Sequence, residues 1–121
     1  LHNFLYEDST RLEVISHELE EGIRTLRLLP LSTIFKLFPR MVRDLARQQG
    51  KQVELIIEGD ETPADKRVLE GMKDPLMHIL RNAIDHGIES PAERQRLGKP
   101  ALARIHLRAA QTPTHITIEV S

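Results

Sequence analysis

Between residues 5 and 29 the apolar side chains Leu5, Leu12, Ile15, Leu19, Leu26 and Leu29 recur on alternating three- and four-residue steps, with Asp8 and Gly22 at the two remaining seam positions. This spacing predicts one long helix with a narrow apolar seam, of the kind that packs against another helix from the same chain or from a second copy. A homodimer through the N-terminal helix is the natural expectation. Pro30 stops the pattern, and the surrounding LLPLS reads as a short apolar hinge, which divides the chain into residues 1–30 and residues 31–121. Ser32 is placed to cap a second helix, in which Ile34, Phe35, Phe38, Met41, Val42 and Leu45 form a broader stripe suited to lying on a sheet. Pro39 either kinks that helix or marks its true first turn, and Gly50 ends it.

The pattern then changes period. KQVELIIE, residues 51–58, is rich in branched residues and bounded by Gly50 and Gly59, which predicts a strand, with GDETPAD as the loop after it. A helical pattern starts near Asp65, breaks at Gly71, and restarts with Asp74 as N-cap and Pro75 at the first helical position. SPAERQRLGKP supplies a short helix capped by Ser90 and closed by Gly98 and Pro100. Residues 104–109 and 115–120 read as a β-hairpin with QTPT between the strands. The fold class expected is α+β.

Composition narrows the functions open to such a chain. Its 121 residues, 40% of them hydrophobic, suffice for one modest core. Seventeen Lys and Arg against eighteen Asp and Glu leave a net charge of −1, too little to draw the chain to nucleic acid or an anionic membrane. One Tyr and three Phe also offer few platforms for stacking bases. The absence of Cys excludes a disulfide scaffold and thiolate metal sites, and suits a reducing cytosol. No apolar run approaches the roughly 20 residues of a membrane helix, and the start, LHNFLYEDSTRLE, has no signal-peptide pattern. A cytoplasmic protein without membrane insertion is expected.

The candidate chemistry lies after Pro75. Leu76, Ile79, Leu80, Ala83 and Ile84 share one helix face, while His78, Asn82, Asp85 and His86 succeed one another at steps of four, three and one on the other. The plain reading is a solvated face, with His86 stabilised by the helix dipole. Yet Lys and Glu serve solubility better than two imidazoles, an amide and a carboxylate. Asn82 offers the hard oxygen that Mg²⁺ accepts, in a coordination shell otherwise filled by phosphates and water. His78, one turn earlier, is placed to orient or deprotonate a group near the same metal. Zinc is disfavoured, because HILRN is not HExxH and no third ligand is suitably spaced.

The stretch DPLMHILRNAIDHGIE, residues 74–89, resembles the N-box of the CheA family of chemotaxis histidine kinases, whose ATP-binding domain has the Bergerat fold shared with gyrase and Hsp90. PRMVRDLARQQGKQVELIIEG, residues 39–59, resembles the first helix and strand of that domain, and RTLRLLPLSTIF its join to the dimerisation domain. The resemblance covers residues 19–99. It implies a long N-terminal helix ending a dimerisation domain over 1–30, then the first part of a Bergerat-type α/β sandwich over 31–121. It further implies that Asn82 ligates the Mg²⁺ bridging the phosphates of ATP, that His78 stands where a general base or metal-linked group acts, and that Arg81, Asp85 and His86 line the phosphate side. The family transfers the γ-phosphoryl group to a histidine on a phosphotransfer domain, a reaction that depends on positioning and charge neutralisation. Its partners are a response regulator, a coupling protein and a chemoreceptor.

The family's adenine-binding DxGxG box would come after the strand ending at Val120, beyond Ser121. The expectation is therefore that this stretch alone is inactive as a kinase. SHELEEG around His17 resembles the phospho-acceptor box of other sensor kinases but lacks its continuation, and a solvent-facing helix residue is the better reading. The competing function is a non-catalytic module that dimerises through residues 5–29 and docks a partner with the remainder.

Overall fold

The computed structural model describes residues 2–8, 11–16, 28–112 and 115–121. Its strands are β1 (His2–Asp8), β2 (Arg11–Ser16), β3 (Leu28–Pro30), β4 (Gln52–Glu58), β5 (Pro63–Asp65), β6 (Leu102–Gln111) and β7 (His115–Val120). Five of them form the main sheet, in the order β1-β2-β7-β6-β4, and β3 pairs with β5 in a small second sheet. All neighbours in the main sheet are antiparallel except β4 and β6, which run parallel from Gln52↔Leu102 to Glu58↔Arg108. Two helices, α1 (Ser32–Phe35) and α2 (Phe38–Gln48), precede β4, while α3 (Lys66–Asn82) and α4 (Pro91–Arg96) lie between β4 and β6. A parallel pair needs a crossover, and the long helix α3 supplies it.

The helices cover one face of the sheet. Along β6, Ala103, Ile105 and Leu107 are buried at every second position, as a strand half-facing a core requires. Ile105 and Leu107 join Ile118 and Val120 of β7 and meet Phe35, Phe38, Val42, Met72, Leu76 and Leu80 from the helices in one cluster. The other face carries cross-strand charge: Glu54 to Arg104 at 3.4 Å, Glu58 to Arg108 at 3.7 Å and Arg108 to Glu119 at 3.8 Å. These pairs are exposed, and each contributes little on its own. The α+β class is thus observed as two layers.

The long N-terminal helix is not what forms. Residues 2–8 and 11–16 are strands, and 28–30 form a third; residues 17–27, with His17, lie outside the described residues. Steps of three and four do not fit a strand's period of two; β2 is fixed instead by its pairing with β7, with Leu12 opposite Ile118. Leu12, expected in a helix–helix seam, is fully buried in the common core.

Two smaller corrections concern Ser32 and Asp74, and the structure also decides between the readings left open for Pro39. Ser32 makes no cap; Leu31 precedes α1, its amide bonded to the Thr62 carbonyl, while the Ser32 amide bonds to that of Asp60. Pro39 sits in the first turn of α2, the second of the two readings open for it. Asp74 does not start a helix, because α3 runs unbroken through Pro75 from its true cap, Asp65, whose carboxylate accepts the Arg67 amide at 2.7 Å. An interior proline costs about 3 kcal/mol by crowding the carbonyl four residues back, and here that residue is Gly71. Burial of Val68, Leu69, Met72, Leu76, Ile79 and Leu80 along one face outweighs the penalty, since each such side chain contributes roughly 1.5–3 kcal/mol. The short helix after Ser90 and the β6–β7 hairpin form as the sequence predicts.

Candidate functional site

The polar stripe of α3 is built by its apolar one. Leu76, Ile79, Leu80 and Ile84 are buried, so His78 is left exposed and Asn82 half-buried on the opposite side. At a spacing of four residues the two side chains stack one turn apart, with Asn82 Nδ2 3.2 Å from His78 Nε2. The Asn82 amide nitrogen can only donate, so Nε2 is the acceptor in this contact. The Asn82 carbonyl oxygen is then left with its lone pairs available, which is the donor chemistry a hard cation takes.

Beyond Asn82 the helix changes register. Residues Ala83–Gly87 form a π turn, which inserts one residue relative to an α-helix and rotates the chain beyond it by about 100°. Asp85 and His86 lie on this turn, both exposed. Asp85 accepts a hydrogen bond from the Gln49 amide, which reaches across from the end of α2. Lys51, half-buried just before β4, donates to the Ile84 carbonyl at 2.7 Å. Arg81 is exposed, one step round the helix from Asn82. The structure therefore brings His78 and Asn82 into contact and pairs Asp85 elsewhere. Among the described residues no three His, Asp or Glu side chains gather to hold a metal unaided.

The segment after the π turn is tied down by Glu89. Its carboxylate meets Lys99 at 2.9 Å and Arg94 at 3.5 Å, while Arg94 Nε donates to the Pro100 carbonyl at 2.6 Å. The hydrogen bond from Lys99, helped by the Arg94 charge, holds the Glu89 carboxyl below the usual carboxylate range against a smaller opposing effect of desolvation. Gln49, Lys51, Glu89 and Lys99 were not among the residues the sequence singled out. Gln49 and Lys51 act over more than 30 residues of chain, and no local pattern encodes such a contact. The pair of opposite charges at Glu89 and Lys99 was the one visible signal.

No family model matches the chain. Individual relatives do. It is 51% identical over 107 residues to the chemotaxis protein CheA of Treponema pallidum, an alignment covering 88% of this chain and 13% of that protein. It is 44% identical to the sensor histidine kinase CheAY of Helicobacter pylori, covering 91% of this chain and 14% of that one. The CheA of Bacillus subtilis is 43% identical over 119 residues, 98% of this chain and 18% of the relative. The chain belongs to the CheA family of chemotaxis histidine kinases, and it spans less than a fifth of the length of these relatives.

Proposed function

We propose that this segment supplies the phosphate side of a Mg²⁺·ATP site in a protein histidine kinase, within a Bergerat-type sandwich. One observation supports the reading above others: a His78–Asn82 pair 3.2 Å apart, with His78 exposed and Asn82 half-buried, on a helix whose opposite face is buried. In this reading the Asn82 side-chain oxygen would hold a Mg²⁺ ion beside the phosphates, as a hard donor of the kind that ion accepts. His78 orients the Asn82 amide and would act as a base only once that amide leaves Nε2, while Arg81, Asp85 and His86 border the triphosphate. The bound metal would neutralise charge on the transferring phosphoryl group; the protein's share is to hold donors in place. Phosphoryl transfer to a histidine of a phosphotransfer domain, and work with a response regulator, a coupling protein and a chemoreceptor in the cytoplasm, belong to the same proposal and are supported by kinship with the chemotaxis proteins.

The test is calorimetric titration of Mg²⁺·ATP into the intact protein and its Asn82→Ala variant. We expect a loss of at least tenfold in affinity in Asn82→Ala and a smaller loss in His78→Ala, the order of one to two interactions with a charged group. Equal affinities in wild type and Asn82→Ala would refute the ligand assignment.

A further inference from the structure

We propose that Lys51 is a positioning residue for this site: its ammonium, anchored on the Ile84 carbonyl, holds the π turn in register and so sets where Asp85 and His86 stand relative to His78 and Asn82. The proposal rests on the Mg²⁺·ATP reading of the site. Ile84 lies in the last turn of the helix, where carbonyls run out of in-helix donors, and Ile88 leaves the turn with extended backbone. A part-buried carbonyl left unpaired is costly, so a donor from elsewhere decides which register the turn adopts. Lys51 is that donor, at 2.7 Å and 33 residues away in the chain. Its charge also suits the negative end of the helix dipole. Gln49, two residues earlier, ties the same turn by bonding Asp85.

Without the ammonium, the Ile84 carbonyl would compete for the Ile88 amide, and the turn would interchange between the π register and the tighter α register, opening its hydrogen bonds as it does so. The α register removes the inserted residue and swings the side chains beyond it by about 100°. The His78–Asn82 contact, which lies before the turn, would survive. Lys51 therefore acts on the border of the site while leaving its centre intact.

The experiment compares wild type, Lys51→Met, which keeps the aliphatic stem, and Lys51→Arg, which keeps the charge and donor. Amide hydrogen exchange is measured on the intact protein without nucleotide, and Mg²⁺·ATP affinity by calorimetry. Lys51→Met should speed exchange at residues 83–89 with the remainder of α3 unchanged, and weaken Mg²⁺·ATP about tenfold, the order expected for one hydrogen bond to a charged group. Lys51→Arg should restore both. Gln49→Ala, at an exposed position where folding is not at stake, should show the same local pattern at smaller size. Unchanged exchange over 83–89 in Lys51→Met and Gln49→Ala, or a loss of protection spread evenly over the protein, overturns the proposal. Because exchange is followed without ligand, it judges the anchor even if Asn82→Ala shows that the phosphate reading is wrong.

Discussion

Gly59 is where the chain leaves β4 to begin the crossover that carries His78 and Asn82, and its replacement by alanine gives the sharpest test of the packing. Its φ is +78°, and a Cβ built there would stand 2.0 Å from the Ala109 carbonyl oxygen and 2.9 Å from the carbonyl carbon. An L-residue in this left-handed region costs about 1–2 kcal/mol in any surroundings. The clash adds to that. The obstructing atoms are β6 backbone, so relief requires the end of the β4–β6 pair, at Glu58↔Arg108, to part by about an ångström. Losing one or two ladder bonds there costs roughly 1–3 kcal/mol more, at about 1 kcal/mol each plus disturbed packing. Gly59→Ala should thus lose about 2–5 kcal/mol, a large share of the 5–15 kcal/mol typical of a whole domain. Gly50→Ala is the matched control: its φ is +67°, but nothing lies within 4 Å of the added methyl, so it bears the conformational cost alone. Urea unfolding of the two variants against wild type reads the difference directly. If Gly59→Ala proves no less stable than Gly50→Ala, the close approach of Gly59 to the β6 backbone is wrong.

Leu76→Ala, at a fully buried position of α3, should cost about 2–5 kcal/mol in the same unfolding assay; a loss below about 1 kcal/mol would mean the helix is not seated on the sheet as described. Ser90→Ala removes the cap of α4, whose hydroxyl accepts the Glu93 amide at 3.3 Å, and should cost about 1 kcal/mol, read as a small shift in the urea midpoint. Glu89 has its folded pKa lowered below the ordinary 4.5, so its ion pairs contribute fully above that pH and are lost as pH falls through the folded value. Its carboxyl carbon, followed by NMR, should titrate with a midpoint below the ordinary 4.5 and move upward in Lys99→Met; a wild-type midpoint at or above that value would contradict the Lys99 contact.

The site was readable because its two faces obey one local rule. On a helix, residues four apart share a face, so the apolar set of Leu76, Leu80 and Ile84 and the polar pair of His78 and Asn82 emerge from spacing alone. The π turn was not readable, since an α-helical wheel assigns Asp85 to Asn82's side and the structure pairs it with Gln49. The choice between registers is made by Lys51, from outside the window in which periodicity is counted.

What the sequence by itself determined was everything governed by neighbours: the amphipathic face of α3, the Ser90 cap, the glycine breaks at residues 50, 59 and 98, and the β6–β7 hairpin. What only the tertiary structure decided was the fate of segments whose local preferences were weak. The N-terminal stretch carries a helical seam in its spacing, and β7, about a hundred residues along the chain, overrides it by offering a ladder and a buried place for Leu12. Pro75 stays inside α3 for the same reason, its penalty outweighed by a core it does not touch in sequence. Propensities differ by less than about 1 kcal/mol per residue, whereas one side chain buried against a distant strand contributes roughly 1.5–3 kcal/mol. Where the local preference is slight, the distant contact therefore decides.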